Sequence, residues 1–378
     1  MKYLDNAATT FPKPMQVIAA ANNCLKNYSA NPGRAGHALS IKAAEAVYKS
    51  RKKCADFFGC NNAENVIFTL NCTTAINFVL KGVLNSGDHV ICSCFEHNAV
   101  LRPLNALKDI GVEYDVAHAF IDNDDATVNA FEALIKDNTK MIICTHASNV
   151  FGAIMPIGRI AELCKNYGIL LLVDAAQTAG VLPINTQKLG IDYLCVATHK
   201  GLYSPMGTGV LIANKPIDKT LIEGGTGSMS IIEKQPEILP DRFESGTINL
   251  SGIAAISAGI DFVNSKGIDN IYKNELVLMQ YLYRGLEKNK NIILYTPYSK
   301  RNAFVPLLSF NVKDMHSEET AEKLNGFGIA VRAGLHCAPL AHKTMGTISS
   351  GTVRVAPSVY TTYSDIEYFL NCTKKITK

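Results

Sequence analysis

The sequence predicts an α/β fold, with a large domain on a mainly parallel, seven-stranded-type sheet and a smaller α+β C-terminal domain. Three observations carry this expectation. From about residue 64 to residue 212, short apolar runs alternate with helical stretches, the pattern of strand–helix–strand crossovers. One of these runs, Leu170–Val173, is apolar throughout, as suits a strand covered on both faces. After Gly252 the alternation stops. Long helical stretches then cover residues 254–264 and 269–286, with short strands at 292–295 and 307–311 and a helix near 318–324. The sequence thus divides into a large domain at 14–258 and a small one made of 1–13 and 259–378.

Composition narrows the function classes. A hydrophobic content of 47% with 19% charged residues describes an ordinary folded chain with ample core. The net charge of +4 is spread along the chain, which is no nucleic-acid footprint. The N-terminus lacks an apolar signal core and no stretch is long enough for a bilayer, so a cytoplasmic protein is expected. The eleven cysteines stand singly, apart from Cys92 and Cys94. That spacing argues against a zinc site or a disulfide framework, and most of them read as small buried hydrophobes. The chain also lacks the glycine fingerprints of dinucleotide and nucleoside triphosphate binding.

Taken in order, Tyr3–Pro14 reads as an extended arm, too rich in prolines and small polar residues for a helix. Residues 31–37 form a glycine-punctuated loop containing Arg34 and His37. Val66–Thr69 reads as a strand, and a helix starts near Asn71–Asn77, where Thr73 or Thr74 suits a cap. The exposed amides of such a helix start make a phosphate site. Strands follow at His89–Ser93 and Met141–Thr145, then a helix at Pro156–Tyr167. The Leu170 strand ends on Asp174, with Gln177 three residues on. The next strand, Tyr193–Ala197, runs into Thr198-His199-Lys200 and a Pro/Gly-rich turn. The last helix is expected to begin at Ser364, with Glu367 completing a capping box.

An acid and a lysine therefore stand at the carboxyl ends of two neighbouring strands, where α/β sheets place ligand groups. Pyridoxal phosphate needs that pair. The lysine binds its aldehyde covalently, and the aspartate keeps the pyridine nitrogen protonated, so that the ring accepts electrons.

Asp174-Ala175-Ala176-Gln177 together with Thr198-His199-Lys200 resembles the class V aminotransferases, and within them the cysteine desulfurases. The resemblance runs from "YLDNAATT" at Tyr3 to the Arg354 region. It implies pyridoxal phosphate as cofactor and the type I fold of pyridoxal-phosphate-dependent transferases. It implies that Thr73 and Thr74 hold the phosphate with help from Thr198 and His199. It further implies that His97 stacks on the ring and handles protons, that Asn149 contacts substrate and cofactor oxygen, and that Gln177 belongs to the cofactor site. The Asn-Pro-x-Arg-x-x-His loop would bring Arg34 and His37 toward the partner's site. The Arg242-Phe243-Glu244-Ser245-Gly246-Thr247 element would bring Thr247 to the phosphate of the other subunit, so a homodimer is implied. Gly224–Ser228 reads as a flexible loop near the subunit contact.

The stretch that selects the reaction is Arg332-Ala333-Gly334-Leu335-His336-Cys337. It resembles the segment carrying the catalytic cysteine of the desulfurases. Its short distance to Thr352-Val353-Arg354-Val355 resembles the group II, SufS-like branch, with a compact loop. A thiolate is favoured by nearby positive charge and partial exposure, and Cys337 lies near Arg332 in the chain. Arg354 matches the family's carboxylate-binding arginine, and Arg332 a second arginine of the motif; a guanidinium fork suits a carboxylate. The implied activity converts L-cysteine to L-alanine, leaving a persulfide on Cys337 for a sulfur-acceptor protein, with iron–sulfur cluster assembly among its uses. The alternatives are a selenocysteine lyase acting on L-selenocysteine and another class V aminotransferase or lyase. Around the nucleophile and the lysine the chain departs from the family pattern: Ala197-Thr198 replaces Ser-Gly, and the usual Gln-Pro after the cysteine is absent.

Overall fold

The computed structural model describes residues 1–33, 36–298 and 302–377. In chain order its strands are β1 Lys2–Tyr3, β2 Val66–Thr69, β3 His89–Ser93, β4 Glu113–Ala117, β5 Thr139–Thr145, β6 Leu170–Asp174, β7 Tyr193–Ala197, β8 Gly209–Ala213, β9 Ile292–Leu294, β10 Leu308–Val312, β11 Ile329–Ala330 and β12 Val353–Val355. Seven of them form one sheet in the order β2-β8-β7-β6-β5-β3-β4. Neighbours are parallel except at β8, which runs antiparallel to both β2 and β7. The inner strands β3, β7 and β8 are buried along their whole length. Their burial follows from helices covering both faces.

One face carries the helices Met15–Asn27, Ala38–Phe58, Ile157–Tyr167 and Leu250–Lys266, whose buried side chains join those of Ile142, Leu171 and Leu194. The other carries Cys72–Val83 and Asn98–Leu107 against Ile143, Leu172 and Cys195. A separate core lies on the three-stranded antiparallel sheet β12-β10-β9, under the helices Ile268–Glu287 and Tyr363–Ile376. Leu4 and Ile329 belong to this core, and β1 pairs with β11, so the arm docks beside it. Ile271 still packs in the first core, whereas Leu278 and Met279 pack in the last. The helix Ile268–Glu287 thus packs in both cores.

Two helix starts differ from the sequence reading. The helix Cys72–Val83 is capped by Asn71, whose side chain accepts from the Thr74 amide, so the cap is neither threonine. Asn is at least as good a cap as Thr because its carbonyl reaches the same orphan donor. The last helix begins at Tyr363, and its capping box is Thr362 with Asp365, not Ser364 with Glu367. Residues 214–249 form one long connection without strand or helix. Among the described residues no helix is long and apolar enough to cross a membrane.

Candidate active site

Strand register sets the centre. Asp174 ends β6, paired with Thr145 on β5 and Cys195 on β7. Its carboxylate is 4% exposed. Oδ1 accepts from the Ala176 amide at 2.9 Å and from Cys72 Sγ at 3.5 Å. Lys200 follows β7 and is partly buried. Burial pushes its pKa down, Asp174 opposes this, and Arg354 and Arg332 add to it. The lysine thus stands within the electrostatic reach of one carboxylate and two guanidinium groups.

The turn carrying Lys200 is held from beneath. The Thr198 hydroxyl is fully buried, donates to the Thr208 carbonyl at 2.8 Å and accepts from Ser204 at 2.6 Å. The hydroxyl is thus engaged inside the Pro/Gly-rich turn. His199 Nδ1 is buried without a partner among the described residues. Burial, Lys200 and Lys13 push its pKa down to about 4.

His97 caps the helix Asn98–Leu107, Nδ1 accepting from the Ala99 amide at 3.0 Å. Burial is the main cause that lowers its pKa to about 4, with Asp174 opposing and Lys200 and Arg332 assisting. The ring is therefore neutral near pH 7, and with Nδ1 accepting, its proton sits on Nε2. Glu96, just before it, is fully buried, accepts from Ser93 and the Thr145 amide, and is raised by burial to about 8. Beyond its place in the Glu-His pair, nothing in the sequence marks this neutral carboxyl.

At the start of the helix Cys72–Val83, Thr73 is exposed and Thr74 half-buried. Gly209 lets β8 approach this turn: a side chain there would come within 2.5 Å of the Asn71 backbone. Thr247 is exposed and, with Thr74, Phe78 and Phe243, lines a cavity of about 110 Å³ within the same chain. The wider clefts, about 750 and 720 Å³, carry none of the expected site residues. His37 caps the helix Ala38–Phe58 and is exposed. Arg34 lies outside the described residues.

Cys337 is the exposed one among eleven free cysteines, the other ten being buried. Arg332 Nη2 lies 3.8 Å from its sulfur. His336 and Cys337 both adopt left-handed backbone, with φ of 48° and 56°, a conformation costing a non-glycine residue about 1 kcal/mol or more. Two contacts hold it: Asn149 Nδ2 donates to the His336 carbonyl at 2.8 Å, and the Asn98 amide to the Cys337 carbonyl at 2.7 Å. The following helix, Pro339–Thr344, opens with proline at its first turn. The loop base closes where Gly351 touches Gly334, since a side chain on Gly351 would come within 2.8 Å of Gly334 Cα.

Arg354 is 1% exposed. Nη1 donates to the Asn149 carbonyl at 2.7 Å and Nη2 to Asp5 at 2.9 Å, while Nε is buried without a partner among the described residues. Part of its fork is therefore engaged by the chain's own arm. Arg332 is the more accessible arginine, joined to Arg354 by a backbone bridge. Gln177 Nε2 donates to the Ala7 carbonyl at 3.1 Å. The structure thus gathers Lys200, Asp174, His97, Arg332 and Arg354 around one centre, with Asn149 joining Arg354 to the Cys337 loop. Asp5 was not singled out from the sequence, although the arm containing it was.

These residues fit pyridoxal phosphate. A buried carboxylate suits a protonated ring nitrogen, a lysine with lowered pKa suits an aldehyde, and a helix start bearing two threonines suits a phosphate.

The family model for class V aminotransferases matches residues 2–369. A protein described as probable cysteine desulfurase from Pyrococcus abyssi is 33% identical, across 100% of this chain and 94% of that protein. One from Synechocystis sp., described in the same words, is 31% identical across 97% of this chain and 89% of its own. The apo structure of a cysteine desulfurase from Thermococcus onnurineus NA1 superposes with a TM-score of 0.90 at 30% identity, covering 100% of this chain and 94% of that one.

Proposed function

The chain belongs to the class V aminotransferases as a pyridoxal-phosphate-dependent cysteine desulfurase, and from that membership we propose how its residues divide the work. Lys200 would hold the cofactor's aldehyde, Asp174 its ring nitrogen, His97 its ring face, and Thr73 and Thr74 its phosphate, with Thr198 and His199 assisting. Gln177 and Asn149 border the same pocket. Thr247 completes the phosphate site across a homodimer, toward which Arg34 also points by sequence. Bound pyridoxal phosphate supplies an electron sink at the substrate's Cα.

Every other step belongs to the chain. Arg332 and the free N–H groups of Arg354 orient the carboxylate of L-cysteine. Lys200, with its lowered pKa, moves the Cα proton. Cys337 Sγ attacks the substrate sulfur, so a sulfur–sulfur bond forms and the carbon–sulfur bond breaks. Its electron pair stays with the carbon skeleton, which takes up a proton and leaves as L-alanine. The persulfide on Cys337 then passes its outer sulfur to an acceptor protein, iron–sulfur cluster assembly being one use. Neutral His97 carries its proton on Nε2, available to the same pocket.

The observation that carries this reading is the pairing of Cys337 with Arg332 on an ordered, surface-facing loop. The loop is short and closed at its base, which supports the group II, SufS-like branch, and eleven free cysteines suit a cytoplasmic setting in which thiols stay reduced. Peptide mass spectrometry after brief exposure to L-cysteine tests it. One added sulfur atom on the Cys337 peptide is expected; addition elsewhere, or none, would overturn the assignment.

A further inference from the structure

The carbonyl oxygen of His199, the residue before Lys200, receives four donors from the N-terminal arm. They are Lys13 Nζ at 2.7 Å, Thr10 Oγ1 at 3.1 Å, Thr9 Oγ1 at 3.2 Å and the Thr10 amide at 3.3 Å. Thr10 Oγ1 also lies 3.1 Å from the Lys200 carbonyl, and Lys13 Nζ lies 2.9 Å from Thr10 Oγ1. A carbonyl has two lone pairs, so these donors share it, and the shortest contact is the charged one.

Lys13 is partly buried, and burial brings its pKa down to about 8. Among the described residues its partners are the Thr10 hydroxyl and the His199 carbonyl, with no carboxylate. Holding an ammonium partly out of water without a counter-charge is costly, and here the charge is spent on one backbone oxygen. Pro12 and Pro14 flank Lys13 and restrict the arm's backbone. The same arm sends Asp5 to Arg354 and accepts Gln177 at Ala7.

We propose that Lys13 is a positioning residue: with Thr10 it clamps the His199 peptide and so fixes where the Lys200 side chain leaves the backbone. The inference rests on the reading of Lys200 as the cofactor's lysine. Misplacing a reacting group by a small distance costs rate rather than affinity. Lys13→Met should therefore lower kcat for alanine formation by about tenfold or more, with KM changed by less than about twofold.

The second measurement is hydrogen–deuterium exchange on the apo protein. Faster uptake is expected in Lys13→Met for peptides covering Thr9–Lys13 and Thr198–Ser204, with the rest unchanged. Both changes together support the clamp, and the absence of either overturns it. If Lys13→Met does not fold, Thr10→Val, which removes one hydroxyl from the same carbonyls, is judged by the same two readouts. Borohydride reduction of the wild-type holoenzyme, followed by peptide mapping, tests the underlying reading separately. A cofactor fixed on another lysine would sink that reading, while the apo exchange still judges the clamp.

Discussion

Arg332 Nη2 stands 3.8 Å from Cys337 Sγ, the two being held at that distance by a loop whose His336 and Cys337 carbonyls are pinned by Asn149 and Asn98. That contact joins a charged group directly to the sulfur. Arg332→Gln should slow alkylation of Cys337 by iodoacetamide at neutral pH by about tenfold, the loss of one charge-assisted contact. Quantified peptide labelling of variant and wild type reads this directly. Equal labelling rates would mean that the contact does not activate the thiol.

Asp5 and Arg354 form an ion pair at 2.9 Å in which the arginine side chain is 1% exposed and the aspartate 20%. Removing one partner of such a pair leaves an uncompensated buried charge, at a cost of about 3 kcal/mol. Asp5→Asn should therefore lower the stability of the apo protein by about that amount in denaturant titrations. Because Arg354 is also freed to shift, KM for L-cysteine should rise. An unchanged midpoint would show that the arm does not support the arginine.

Glu275 lies buried in the helix Ile268–Glu287, and burial raises its carboxyl from 4.5 to about 8. Between these values the unfolded chain ionises this group while the folded chain keeps it protonated, so its contribution to stability falls as pH rises through that window. The loss is at most about 1.4 kcal/mol per pH unit. Glu275→Gln removes the titration. Its melting temperature relative to wild type should therefore climb from pH 4.5 to pH 8, as thermal melts at the two ends would reveal. A difference independent of pH would place the carboxylate in a solvated setting.

Much of this site is legible in the sequence because it rests on side chains of rare type at strand ends. The apolar run Leu170–Val173 predicts a buried strand, and a buried strand in a parallel sheet delivers Asp174 to the ligand edge. Lys200 follows by the same logic. The ten buried cysteines and the exposed Cys337 separate by their neighbours, since Arg332 stands close in sequence and in space.

What the sequence hides is where hydroxyls and backbone oxygens go. Nothing in the sequence says that the Thr198 hydroxyl reaches the Thr208 carbonyl. The capping role near Thr73 passes to Asn71, because a cap depends on one residue's backbone angle at the helix entry. Lys13 binds a carbonyl 186 residues away, and Asp5 an arginine 349 residues away. Every residue carries a carbonyl, so nothing in the chain's lettering marks the one at His199.

The most direct test of the account compares wild-type holoenzyme with Cys337→Ala, each given L-cysteine and a reductant, with alanine and sulfide quantified. The account predicts that wild type forms the two products in equal amounts and that the variant, still loaded with cofactor, forms neither. Turnover of L-cysteine by Cys337→Ala at the wild-type rate would contradict it and make Cys337 a bystander at the surface.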